Sequence, residues 1–165
     1  MFKEISPKEI DGNAIKMIAD EWMLISAGNE QGFNMMTASW GFMGEMWHRD
    51  SVVIAIRPQR YTMEFVDKND YFTLSFYGDR KDIHAVCGKE SGRDVNKAEK
   101  TGLTPVFSDN TVFFEEARLV LVCKKRYKGR LQKENFTLGE CEELYPADDR
   151  HYMLIGEIVK VYEKA

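Results

Sequence analysis

Asn34-Met-Met-Thr-Ala-Ser-Trp40 sets three small residues, Thr37, Ala38 and Ser39, inside a segment otherwise rich in Met, Phe and Trp. Small side chains in mid-strand give up packing area. Here they leave room for a flat, polar-edged aromatic ligand to lie against main-chain amides. Met35, Met36 and Trp40 can wall such a ligand, although packing of a half-buried strand face is the better account of the methionines. Gly41 and Gly44, which follow, let the segment bend.

One strand later comes Arg57-Pro-Gln-Arg-Tyr-Thr62. It puts two guanidiniums and a hydroxyl at a strand-to-helix turn, where bidentate Arg and main-chain N–H groups hold a phosphate efficiently. Thr62 as a plain helix cap and Arg60 as a solvated charge would account for the same residues. Taken together, the two segments suit a mononucleotide with an aromatic head, and FMN fits both ends.

Composition narrows the classes. A chain of 165 residues with 44% hydrophobic content can fill one core and is short for two domains, so 1–165 is expected to be a single domain. A formal charge of −4 and a pI near 5.5 argue against a nucleic-acid partner. Cys87, Cys123 and Cys141 are odd in number and lack CxxC spacing, which reads as reduced thiols in a cytoplasmic protein. The N-terminus carries acid early, so no signal peptide is expected. No stretch reaches the roughly 18 uncharged apolar residues of a membrane span.

The periodic signals are mostly strands. Ser51–Ile56 is a continuous apolar run, Tyr71–Tyr77 alternates, and Leu119–Cys123, Met153–Tyr162 and Trp22–Ala27 read as further strands. Three short helices are predicted: Met63–Lys68 capped by Thr62, one from Asp79 through Val86, and one opened by the Ser91-Gly-Arg-Asp94 box and stopped at Thr101-Gly102. With no regular strand-helix alternation, an antiparallel β-barrel with short inserted helices is the expected fold.

Four motifs now stand in order along the chain: Asn34–Trp40, Arg57–Thr62, Ser91-Gly-Arg-Asp-Val-Asn-Lys97 and His151-Tyr-Met-Leu-Ile-Gly156. In that order the chain resembles the flavin reductase-like family with the FMN-binding split barrel, over roughly Ile15 to Val161. The resemblance implies that the Thr37-Ala-Ser39 main chain faces the flavin ring and ribityl chain, that Arg60, Tyr61 and Thr62 hold the phosphate, and that the Cys87-Gly88-Lys89 turn and Lys97 lie near the cofactor. Met36, Trp40 and Arg57 are further cofactor-binding candidates, and a cation from Arg57 or His151 would favour the anionic reduced flavin. His151 would stand beside the ring, where a nicotinamide could stack. The family is typically homodimeric, with flavin near the subunit interface. One departure is visible: many reductases have Gly-Asp before that histidine, and this chain has Asp149-Arg150.

The expected activity is therefore reduction of flavin by NADH or NADPH through hydride transfer to flavin N5, with His151 as the catalytic candidate. The alternative is an FMN-holding electron carrier of flavoredoxin type. A third reading is a related split-barrel enzyme acting on a pyridoxine phosphate or a heme product. His84 and Cys87 share a helix face, but two ligands do not make a metal site. The run Lys124–Arg130 reads as the solvated end of a strand and its turn. Ser39, His151 and Asp149 lack the Gly-x-Ser-x-Gly that would support a hydrolase.

Overall fold

The computed structural model describes residues 1–165. The strands are β1 (Phe2–Ile5), β2 (Met23–Asn29), β3 (Gly32–Ala38), β4 (Gly41–Met46), β5 (Arg49–Ile56), β6 (Tyr71–Phe76), β7 (Pro105–Ser108), β8 (Thr111–Phe114), β9 (Leu119–Arg130) and β10 (Tyr152–Lys164). The helices are α1 (Ala14–Lys16, continuing as a π-helical turn over Met17–Glu21), α2 (Tyr61–Lys68), α3 (Lys81–Lys89), α4 (Lys97–Thr101) and α5 (Cys141–Leu144).

One antiparallel sheet runs in the order β3-β2-β6-β9-β10-β5-β4, with β1 added to β10, while β7 and β8 form a separate hairpin. The two ends of this order, β3 and β4, are joined in the chain by Ser39 and Trp40 alone. A flat sheet would hold those edges roughly 29 Å apart. Three backbone steps span at most roughly 11 Å. The sheet must therefore roll until its edges meet, and because β3 and β4 do not pair, the barrel stays split at that seam.

Side chains alternate across the rolled sheet. Met23, Ile25 and Met36 join Phe72, Leu74, Phe76, Ile54, Leu121 and Leu154 inside the barrel, where α2 adds Met63 and Val66. Leu24 and Met35 point the other way, into a second core with Ile83, Cys87, Ala98, Phe113 and Phe114 beneath α3, α4 and the β7–β8 hairpin. That second cover explains why Thr73 and Ser75 of β6 are as buried as their apolar neighbours.

The split barrel and the strand assignments stand, with four local corrections. Thr62 is not a cap: α2 starts at Tyr61 behind Arg60, and the Thr62 hydroxyl accepts a hydrogen bond from Asn34 Nδ2 at 2.9 Å. Asp79 does not cap α3, which begins after Arg80 with no side-chain cap. The Ser91–Asp94 box closes a turn, Asp94 N–H to Ser91 O at 3.0 Å, and α4 is capped by Asn96 instead. Gly102 does end α4, at the left-handed φ of 68° that favours glycine. The basic run continues β9 to Arg130, paired with β10, rather than forming a turn. Strands β1, β4, β7 and β8 were not legible beforehand.

Candidate functional site

The seam places a cavity of about 230 Å³ against the β3–β4 join. Met36, Thr37, Ala38, Ser39 and Trp40 line one side; Ala55, Arg57, Arg60 and His151 line the other. The small residues therefore lie where the ligand reading wanted them. Met35 does not join them, because period-2 alternation turns it into the second core. The Thr37 hydroxyl turns toward α3, 3.0 Å from His84 Nδ1, so Thr37 shapes the cavity while its side chain is engaged elsewhere.

A second, smaller cavity of about 110 Å³ opens at the start of α2. It is lined by Asn34, Gln59, Arg60, Tyr61, Thr62, Lys89, Glu90, Ser91, Gly92 and Lys97. Arg60 lines both cavities. Its Nη1 donates to Gly88 O at 3.1 Å and its Nη2 to Cys87 O at 3.4 Å. Lys97, almost wholly buried, donates from Nζ to Met35 O at 2.9 Å and Cys87 O at 3.1 Å. Neither cation has a carboxylate partner, although a buried charge is normally paired. Burial, with Arg60 nearby, lowers the Lys97 pKa to about 8. Burial likewise lowers that of Arg60. Two under-compensated cations beside a hydroxyl-lined hollow are a donor set for a phosphate dianion.

Cys87 and Lys89 lie in the last turn of α3 rather than in a free turn. Cys87 contributes its carbonyl; its thiol is buried, with a pKa pushed up to about 11 by that burial. Lys89 reaches the phosphate-sized hollow.

At the other end of the site, His151 is buried beneath Trp40, ring centroids 4.9 Å apart. Its Nδ1 is 2.8 Å from the Tyr145 hydroxyl. Burial, then the Arg57 charge, lowers its pKa to about 4, so the imidazole is neutral at pH 7 and is no cation beside the ring. Arg57 carries the charge there. It is ion-paired with Asp149, which also accepts from Gln59 Nε2 at 2.8 Å, and it sits over the Tyr145 ring at 5.1 Å. The Asp149 that departs from the commoner Gly-Asp pattern thus positions Arg57. Tyr145, Asp149, Gln59 and Asn34 were missed as site residues. Asn34, Gln59 and the Ser91-Gly92 step lay within motifs already singled out; Tyr145 did not.

A model of the flavin reductase-like domain family matches residues 16–165. Among solved structures, flavoredoxin from Methanosarcina acetivorans superposes with a TM-score of 0.69 at 18% identity, over 87% of this chain and 68% of that one. An FMN-binding domain of a flavin reductases-like enzyme from Shewanella baltica gives 0.70 at 15% identity, over 99% and 77%. An FMN-binding protein from Thermus thermophilus gives 0.69 at 19%, over 87% and 71%. At these identities the likeness establishes the fold. No curated protein matches the chain.

Proposed function

We propose, from the premise that this chain belongs to the flavin reductase-like domain family, that it binds FMN non-covalently and passes hydride between that flavin and NADH or NADPH. The observation that carries this reading is Arg60, shared by a ring-sized cavity and a phosphate-sized one. Structural relatives named as FMN-binding support the choice of flavin.

Flavin, when bound, supplies reversible hydride chemistry; the protein's part is position, charge and exclusion of water. Arg60, Lys97 and the Thr62 hydroxyl would hold the phosphate, with Lys89 beside them. The main chain at Ala38 and Ser39 would lie along the ring, and Trp40 and His151 would shield it. Arg57 would supply the positive charge that favours a reduced, anionic flavin. Neutral His151 acts as a hydrogen-bonding side chain rather than a counter-ion.

A second reading, an electron carrier without efficient nicotinamide turnover, draws on one contact. Trp40 and His151 pack together where a nicotinamide would stack, so the donor must displace them.

The proposed assembly is a homodimer. Phe42, Val53, Ile155 and Tyr127 stand in one cross-strand row on the outer face of the sheet, and Phe42 and Tyr127 are more than half exposed. Trp40, itself half exposed, continues that face to the ring cavity, so a second copy would cover both. The whole chain is taken as one domain.

Anaerobic titration tests the function. FMN-loaded protein should bleach on addition of NADH or NADPH. Bleaching by dithionite alone would leave the carrier reading. A protein that takes up no FMN would refute both.

A further inference from the structure

We propose that Asp149 is a positioning residue that sets the reducing strength of the bound flavin: its carboxylate pins Arg57 at the ring cavity and offsets much of the charge that Arg57 brings there. The inference rests on the flavin reading above and deepens it, from what the site binds to how the site is tuned.

Strand register builds the pair. Ile56 of β5 lies opposite Tyr152 of β10, so Arg57 leaves β5 beside the point where residues 149–151 lead into β10. Arg60 N–H donates to Arg57 O at 3.1 Å, closing a turn from which Gln59 reaches the same carboxylate. Asp149 Oδ2 accepts from Arg57 Nη1 and from Gln59 Nε2, the latter at 2.8 Å. The guanidinium also lies over the Tyr145 ring, 5.1 Å from its centre. Arg57 is thus fixed by a carboxylate and an aromatic face while it lines the ring cavity.

The neighbouring cations are engaged elsewhere. Arg150 donates from Nε to Asp148 Oδ1 at 2.9 Å and from Nη1 to Leu131 O at 3.1 Å, and Arg130 donates from Nη2 to Asp148 O. Asp149 Oδ1 is buried and accepts no hydrogen bond within the chain, so the Asp149 charge faces Arg57 alone. Gln59 and then Arg57 hold the Asp149 pKa below the usual carboxylate range, which keeps it ionised at neutral pH. His151, at the same cavity, is neutral there.

The charge at this end of the cavity is therefore that of Arg57 less that of Asp149. A cation beside the ring favours the reduced, anionic flavin, and a paired carboxylate opposes it. The two side chains are 30% and 20% exposed, so solvent weakens their fields without erasing them. Asp149→Asn keeps a carbonyl acceptor for Arg57 and Gln59 while removing the negative charge. Arg57→Gln removes the positive charge and leaves the carboxylate unopposed. The two substitutions should move the reduction equilibrium in opposite directions, which a mere loss of packing would not do.

Dye-equilibrated potentiometry of the full chain, saturated with FMN, tests this. Asp149→Asn should favour the reduced flavin at least about tenfold over the unmodified chain, a rise of about 30 mV for a two-electron couple. Arg57→Gln should favour the oxidised flavin to a similar extent. The double variant, which loses both charges, should return to within about threefold of the unmodified chain. Arg57→Lys, which keeps the charge, should stay in that range too, and it keeps the test open if Arg57→Gln folds poorly. Single variants that shift in one direction, or an Asp149→Asn value equal to that of the unmodified chain, overturn the inference and leave the flavin reading intact. An Arg57→Lys value matching that of Arg57→Gln overturns it as well. An unmodified chain that takes up no FMN overturns both.

Discussion

The hydroxyl of Tyr145 lies 2.8 Å from Nδ1 of His151, and the pair couples the end of α5 to the residue just before β10 beneath Trp40. Burial raises the Tyr145 pKa, so the phenol stays protonated and can donate to Nδ1. A neutral His151 then carries its proton on Nε2. Nitrogen-15 NMR of the free protein at pH 7 should show the Nε2–H tautomer dominant, and Tyr145→Phe should yield a mixture. A dominant Nδ1–H form in the unmodified chain would reverse the donor assignment.

His84 and His151 both have pKa values lowered to about 4, chiefly by burial. Their ordinary value is about 6.5, so between pH 4 and 6.5 the unfolded chain binds more protons than the folded one. Stability should rise with pH through that window and be complete above it. Urea midpoints at pH 5 and pH 7 check the sign; a higher midpoint at pH 5 would contradict the buried, neutral state of both rings.

Arg60→Ala should weaken FMN by about 10- to 100-fold, the loss of a charged hydrogen-bonding partner at about 1.5–3 kcal/mol. Riboflavin, which lacks the phosphate, should change little. Fluorescence titration with both ligands separates the cases, and equal weakening would move the phosphate away from the start of α2.

Lys97 titrates near pH 8 in the free protein, below its ordinary range, because burial disfavours its charge. Two opposite trends follow. Above pH 8 FMN binding should require reprotonation of Lys97 and weaken by up to about tenfold per pH unit. Stability of the free protein should meanwhile rise between pH 8 and 10.5, since the unfolded chain holds the extra proton there. Lys97→Met should flatten both profiles and leave the free protein at least as stable, as replacing a buried charge with an apolar chain often does.

Phe42→Asp or Tyr127→Asp should shift the protein to monomer in sedimentation experiments, because each places a charge in the row Phe42, Val53, Ile155, Tyr127. Unchanged sedimentation of both variants would locate any dimer contact elsewhere.

Much of the architecture was legible because strand burial leaves a period-2 trace. The run Ser51–Ile56 and the alternation of Phe72, Leu74 and Phe76 read directly as strands, and Gly102 read as a helix stop. Helix starts were legible less well. Ser, Thr and Asp form turns and side-chain contacts as readily as caps, so Thr62 was taken up by Asn34 and Ser91 by a turn, while Arg60 and Arg80 precede helices with no side-chain cap at all. Met35 packs into the second core, in keeping with the packing account of the methionines, while Met36, one residue on, lines the ring cavity.

From the order of residues alone came the strand-rich class, the small residues at 37–39 and the cation-bearing turn at 57–62, since each depends on neighbours within a few positions. Folding in three dimensions decided the rest. Asp149 meets Arg57 across 92 positions, and Asn34 meets Thr62 across 28. Lys97 borrows carbonyls from two separate elements. Those pairings, and the neutral state of His151 that follows from burial beneath Trp40, exist only because the sheet rolls until Ser39 and Trp40 can bridge its two edges.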